Sequence, residues 1–290
     1  MGGKLVIAGG NLHNSEMEIH KVFIDFALKS GGKLAIVPTA SGQEPVSTIK
    51  HVEEVWASLG VKPESIITLP VYGQEEKEWL DPPLGDNQGI INMMEGVSGF
   101  WFTGGNQYYT HKAFIRKNKT DTKALEIMRR IYESGGVIGG TSAGAAIMSE
   151  TMIASGNNIT ALNLQVKYGY EDYDDSAEDE TIGLRIVKGL GFFKDGVIDQ
   201  HYDARPRLLR TIKAVMDSSS NVNFGYGVSE DTALIYDRDT KGITVAGSGA
   251  VYIMDVTKSK MDNDSSYICK NTVIHIIKKG DIFNQFNITD

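Results

Sequence analysis

The feature that most constrains this chain is the regular alternation of short apolar runs and amphipathic segments through its first half. Leu5 to Ala8 reads as a buried strand ending in Gly9-Gly10. Ile19, Val22, Phe23 and Phe26 then recur at helical spacing, and Gly31-Gly32 stops the helix. Lys33 to Val37 is a second strand, ending in Pro38-Thr39-Ala40-Ser41. A helix carrying Ile49, Val52, Val55, Trp56 and Leu59 follows, ends at Gly60, and leads to a third strand over Ser65 to Leu69. Strands that are apolar throughout are buried on both faces, and strand–helix–strand order builds a parallel sheet covered by helices. The expected fold is α/β with three layers, a mostly parallel sheet flanked by helices.

Tyr72 to Asn87 is polar and broken by Pro82-Pro83, which predicts a loop with one helical turn. Phe100-Trp101-Phe102 is a further strand, capped by Thr103-Gly104-Gly105-Asn106-Gln107. The run Thr122 to Ser134 is helical, with Leu125, Met128, Ile131 and Tyr132 on one face. Ligands of open α/β sheets bind outside the carboxyl ends of the strands. Gly9-Gly10, Pro38 to Ser41 and Thr103 to Gln107 should all gather at that edge.

The next strand, Val137-Ile138, runs into Gly139-Gly140-Thr141-Ser142-Ala143-Gly144-Ala145-Ala146. Gly-Thr-Ser-Ala-Gly is a G-x-S-x-G pattern between a strand and an apolar segment that can be helical, the setting of a nucleophile elbow. Small residues suit a strained turn because bulk on either side would meet the strand or helix. A helix N-terminus favours developing negative charge, and the Ala143 N–H can point into an oxyanion hole. The competing reading of the same pattern is a glycine-rich turn that binds a phosphate or only packs tightly.

A serine nucleophile needs a base, and histidine is the usual one. His13, His20, His51 and His111 lie in or beside helices, and His275 sits within a terminal strand. His201 follows the strand Val197-Ile198, through Asp199-Gln200, at the same edge as Ser142. An orienting carboxylate completes such a unit. Glu230 is favoured, with Asp231 and Asp199 as rivals. Asp203 reads as the N-cap of a helix through Leu208, Leu209, Ile212, Val215 and Met216. That places Arg205, Arg207 and Arg210 in its first turns, where cations work against the macrodipole. They are either surface ion-pair partners or a clamp for a substrate carboxylate, which planar guanidinium groups suit.

Phe224 to Asp255 reads as antiparallel strands with turns at Arg238-Asp239 and Gly247-Ser248-Gly249, and a last strand covers Val273 to Ile277. Tyr168 to Glu180 carries seven carboxylates, which account for nearly all of the net charge of −8. Like charges at that density oppose regular structure, so this is either a solvated loop or a lid that attracts cationic substrate. The acidic balance argues against a nucleic-acid partner. One cysteine, Cys269, excludes an internal disulfide and a Cys-rich zinc cluster. No apolar run approaches the length of a membrane span. The expected location is the cytoplasm, with a leader removed ahead of Met1 left open. Residues 1–290 are expected to form one domain, and a homodimer stays open as an assembly.

Taken together, Pro38 to Ser41, Phe102 to Gln107, Gly140 to Ala146, Asp199-Gln200-His201 with its three arginines, and Glu230-Asp231-Thr232 resemble the cyanophycinase and dipeptidase E family of serine peptidases. The match spans about residues 5 to 255, in the family's order, and the last two pieces resemble the cyanophycinase branch. The resemblance implies a class I glutamine amidotransferase-like fold with serine replacing cysteine, and no metal or cofactor. It implies Ser142 as nucleophile, His201 as base and Glu230 as orienting acid. It also implies Gly105 and Ala143 amides in the oxyanion hole, with Gln107, Asp199, Gln200, Arg205, Arg207 and Arg210 at the substrate. The implied substrate is cyanophycin or a related peptide rich in aspartate and arginine, cleaved to β-aspartyl-arginine dipeptides. Asn106, where cyanobacterial members are expected to carry aspartate, and the long acidic insertion keep a broader aspartyl or isoaspartyl dipeptidase as an alternative. A non-catalytic binding protein on the same scaffold is a third reading.

Overall fold

The computed structural model describes residues 2–73, 79–163, 165–169, 183–217, 221–261 and 269–285. Most of the acidic stretch, from residue 170 on, lies outside them. The chain opens with β1 (Lys4–Ala8), α1 (Glu16–Ala27), β2 (Lys33–Val37), α2 (Val46–Ser58) and β3 (Ile66–Thr68). It continues with α3 (Gln88–Met93), β4 (Val97–Phe102), α4 (Gln107–Phe114), α5 (Lys123–Glu133), β5 (Val137–Thr141) and α6 (Ala143–Ala146). Then come β6 (Thr151–Ser155), α7 (Asn158–Asn163), β7 (Lys167–Tyr168), β8 (Arg185–Lys188), β9 (Val197–Asp199) and α8 (Leu208–Met216). The last part holds β10 (Phe224–Val228), β11 (Thr232–Asp237), β12 (Ile243–Gly247), β13 (Ala250–Asp255), β14 (Lys260–Met261), β15 (Cys269–Lys270), β16 (Val273–Lys278) and β17 (Ile282–Phe283).

The main sheet has the order β17-β12-β11-β1-β5-β4-β2-β3. From β3 to β1 every pairing is parallel, and β11, β12 and β17 add antiparallel strands beyond β1. β1, β2, β4 and β5 bury both faces, alternate side chains pointing to opposite sides, whereas β3 at the sheet edge is half-buried. Val6 and Ala8 meet α1 and α2 with Phe23, Val52 and Trp56. Leu5 and Ile7 face the other core with Phe100, Phe114, Leu125 and Met128. The aromatic centre of the first layer is Phe23, whose ring lies 5.7 Å from Trp56 and 5.2 Å from Trp101. Truncating so large a buried side chain costs about 3–5 kcal/mol.

Part of the last third departs from the main sheet. β9 does not extend the main sheet; it is an edge of a second, four-stranded sheet, β16-β13-β10-β9, in which only β9 and β10 run parallel. The Gly247–Gly249 turn is accordingly no hairpin, since it carries the chain from β12 in one sheet to β13 in the other. Tyr226, Val251 and Ile253 of the second sheet join the same core as Leu5 and Ile7. On its other side Ile212 and Val215 of α8 pack with Val197 and Met254. A small third sheet, β6-β8-β7, takes Tyr168 out of the expected loop and pairs it with Ile186.

Candidate active site

β5 delivers Ser142 to the carboxyl edge of the main sheet. Its backbone turns abruptly, with φ 55° and ψ −113°, a conformation that L-residues avoid and that costs of order 1–3 kcal/mol. Ser142 N–H donates to Ala8 O at 3.0 Å, which pins the elbow to the end of β1. The helix after it is only four residues long, so the expected apolar helix is a single turn. Ala143 is its first residue, and its N–H is among the donors a helix start leaves without an intrahelical partner.

His201 reaches the same place from the second sheet. Its own φ is 48°, and its N–H donates to Gly9 O at 2.8 Å. A Cβ on Gly10 would lie 2.3 Å from the His201 Cε1, so only glycine lets the imidazole sit there. Ser142 Oγ–H donates to His201 Nε2 at 2.8 Å, and His201 Nδ1–H donates to Glu230 Oε1 at 2.6 Å. With a carboxylate at Nδ1, that nitrogen carries the proton and Nε2 is the acceptor. Glu230 Oε2 in turn accepts Asn11 Nδ2–H at 2.7 Å, and Glu230 N–H donates to Asp203 Oδ1 at 2.9 Å.

The titration of these groups follows from their neighbours. Burial pushes the His201 imidazole below its ordinary value; the Glu230 hydrogen bond pulls upward and the positive charge of Arg205 pushes down again. Hydrogen bonds from Asn11 and then from His201 hold the Glu230 carboxyl below the usual range. At neutral pH this favours a neutral imidazole between a hydroxyl and a carboxylate. That is the starting state for general-base attack by a serine.

Both rival carboxylates have other partners. Asp231, at φ 52°, accepts the His13 and Ser15 N–H groups at 2.9 Å each and so secures the chain entering α1. Asp199 is buried and accepts Arg210 Nε–H at 2.8 Å and Arg210 Nη2–H at 2.5 Å. Burial pushes Asp199 up, but the Arg210 guanidinium, joined by Arg207 and the Thr211 hydroxyl, outweighs it and holds the carboxyl low.

The loop after β4 supplies the opposite wall. A Cβ on Gly104 would stand 3.3 Å from the Ser142 Cβ, so this loop lies directly against the elbow. Ser41 Oγ–H donates to Gly104 O at 2.8 Å. In a trans peptide the C=O and the next N–H point opposite ways, so this bond also orients the Gly105 N–H. Gly105 itself has φ 131°, and a Cβ there would meet Ala40 O at 1.9 Å.

The remaining expected substrate residues do not gather as a group. A cavity of about 530 Å³ opens on Ser142, His201 and Glu230, and Arg205 lines it. Arg207 and Arg210 are buried instead: Arg207 Nη1–H donates to Gln200 O at 2.5 Å, and Arg210 Nη1–H donates to Gly156 O. α8 begins at Leu208, after both Arg205 and Arg207, and Asp203 does not cap it. Asp199 draws Arg210 and Arg207 inward, so of the three arginines it is Arg205 that lines this cavity. Gln200 is buried with Oε1 unpartnered, and Gln107 does not line this cavity, its Nε2–H donating to Ala154 O at 2.5 Å. Sequence reasoning assigned no role to Asn11, Gly10 or Ser41, although Gly9-Gly10-Asn11 and Pro38 to Ser41 both mark strand ends at this edge.

The sequence profile of peptidase family S51 matches residues 5–244. The chain belongs to peptidase family S51. It is a serine-type peptidase. Cyanophycinases of Synechococcus elongatus and Trichormus variabilis are 25 % and 27 % identical, over 97 % and 98 % of this chain and 79 % and 86 % of theirs. That of Geminocystis herdmanii is 26 % identical over 97 % of this chain and 93 % of its own. The fold is shared with a crystal structure of a peptidase from an acI-B1 actinobacterium, with TM-score 0.66 and 19 % identity over 98 % and 97 % of the two chains. A peptidase E-like protein of Listeria monocytogenes superposes with TM-score 0.52 and 18 % identity over 86 % of this chain and all of the other.

Proposed function

We propose that this S51 peptidase hydrolyses cyanophycin or a closely related aspartyl-arginine peptide through an acyl-enzyme on Ser142, releasing β-aspartyl-arginine dipeptides. The observation that carries the catalytic part is the continuous chain Ser142–His201–Glu230–Asn11, with contacts of 2.8, 2.6 and 2.7 Å. Ser142 Oγ attacks the scissile carbonyl while His201 Nε2 takes its proton. The charge that develops on the carbonyl oxygen is met by the Ala143 and Gly105 N–H groups, and such donors contribute about 10²–10³ in rate each. His201 then returns the proton to the leaving amine, and a water repeats the sequence on the acyl-enzyme. Glu230 holds the tautomer and offsets the imidazolium charge.

The substrate part rests on the cyanophycinases matched over nearly the whole chain and on a cavity bearing both signs. Arg205 there suits a carboxylate, whereas Glu16 suits a guanidinium. Purified protein should convert cyanophycin to a product with the mass of β-aspartyl-arginine. Hydrolysis of isoaspartyl dipeptides with cyanophycin left intact would replace this reading by the broader dipeptidase.

A further inference from the structure

α1 and α2 both contribute to the lining of the cavity, and among their residues there is a histidine the triad does not use. His20 is buried to 2 % exposure, yet it borders the same cavity as Ser142. Trp56 Nε1–H donates to His20 Nδ1 at 3.0 Å. An indole nitrogen only donates, so His20 Nδ1 must be the unprotonated nitrogen and the ring proton must reside on Nε2. Trp101 packs on the imidazole with ring centroids 4.3 Å apart, fixing the plane of the ring. Burial, then the nearby His51, pushes the imidazole down to about 3, so the ring stays neutral wherever the peptidase works.

We infer that His20 is a substrate-binding residue, a tautomer-locked imidazole whose Nε2–H donates to an acceptor oxygen of the aspartyl peptide bound over Ser142. The inference rests on the reading of Ser142 as nucleophile. Its logic is preorganisation: the donor is held by Trp56 and Trp101 before substrate arrives, so little ordering is left for the binding step. A neutral donor suits a carbonyl or a carboxylate oxygen, and it rejects a substrate lacking one because the buried N–H would then be unpaired. Lysine or arginine in this position would carry a full charge into the aromatic wall, at a desolvation cost that imidazole avoids.

The test uses the intact protein with cyanophycin and with an aspartyl-arginine peptide as free acid and as C-terminal amide. His20→Phe should raise KM about tenfold or more and leave kcat within a few-fold, the pattern of a lost binding contact. Labelling of Ser142 by a small fluorophosphonate, which does not use this contact, should proceed at the wild-type rate. A loss confined to the free acid identifies the C-terminal carboxylate as the acceptor; an equal loss for both peptides places the acceptor on the aspartyl part or the backbone carbonyls. Nitrogen-detected histidine NMR of the wild type should show Nδ1 of His20 unprotonated from pH 5 to 8, and Trp56→Phe should release that preference. An unchanged KM in a folded His20→Phe, or a protonated Nδ1 in the wild type, overturns the inference even if Ser142 labels normally. A wild type that neither labels nor turns over overturns the nucleophile reading instead.

Discussion

Two polar arrays meet at Asp199-Gln200-His201, and they behave in opposite ways. The Asp199 array is closed. Both carboxylate oxygens accept from Arg210, Thr211 adds a third donor at 2.8 Å, and the group is buried. The His201 array is open at one end, where Ser142 Oγ meets a cavity, and both residues there carry a positive φ. On an extended strand, residues two apart would face the same side. The left-handed turn at His201 breaks that rule and sends its imidazole to Glu230 while Asp199 stays inside. Similar charges thus serve packing on one side of a peptide and, in the proposed mechanism, chemistry on the other, and backbone conformation, more than residue type, decides which.

The contrast predicts a clean split between losses of rate and losses of stability. Ser142→Ala and Glu230→Gln should each lower kcat by about 10⁴, with thermal midpoints close to wild type. Glu230→Gln keeps the shape but no longer dictates the tautomer. A large drop in thermal midpoint for either, measured by calorimetry, would blur the distinction. Asp199→Ala should do the reverse: it leaves the Arg210 guanidinium buried without its carboxylate, at a cost of about 3–5 kcal/mol in denaturant unfolding. Retention of wild-type stability would show that water or a backbone group replaces Asp199.

The smallest expected effect is the one most particular to the open array. Because the His201 imidazole is held below its usual value of 6.5, the acid limb of kcat/KM should have its midpoint below pH 6.5. Arg205→Gln removes one of the charges pressing it down, so that midpoint should move upward. A group whose folded pKa is depressed binds fewer protons than in the unfolded chain. Its contribution to stability is therefore complete above pH 6.5 and lost as pH falls toward the folded value. An acid limb unmoved by Arg205→Gln would leave burial and the Arg207 charge as the causes.

Ser142, His201 and Glu230 were legible because each sits at a strand end that the apolar pattern marks in advance. The parallel half of the fold was legible for the same reason: Leu5 to Ala8 and Leu34 to Val37 are apolar without interruption. The arginines were not. Their pairing with Asp199 depends on the chain turning back on itself between β9 and α8, and nothing in a first-turn helix pattern signals an ion pair across that turn. The sheet to which β9 belongs was not legible for a related reason, since a short buried strand looks alike in either sheet until its neighbours are known. In the sequence His20 is only a histidine in or beside a helix, and Trp56 on a different helix reveals which of its nitrogens carries the proton.

The central claim is that Ser142 carries the acyl group during turnover. Acid quenching of the enzyme while it processes an aspartyl-arginine substrate, followed by peptide mapping in the mass spectrometer, tests it most directly. An aspartyl adduct on the peptide containing Ser142, absent from Ser142→Ala, is the result expected here. Undiminished turnover by Ser142→Ala, or an adduct on another residue, would contradict it.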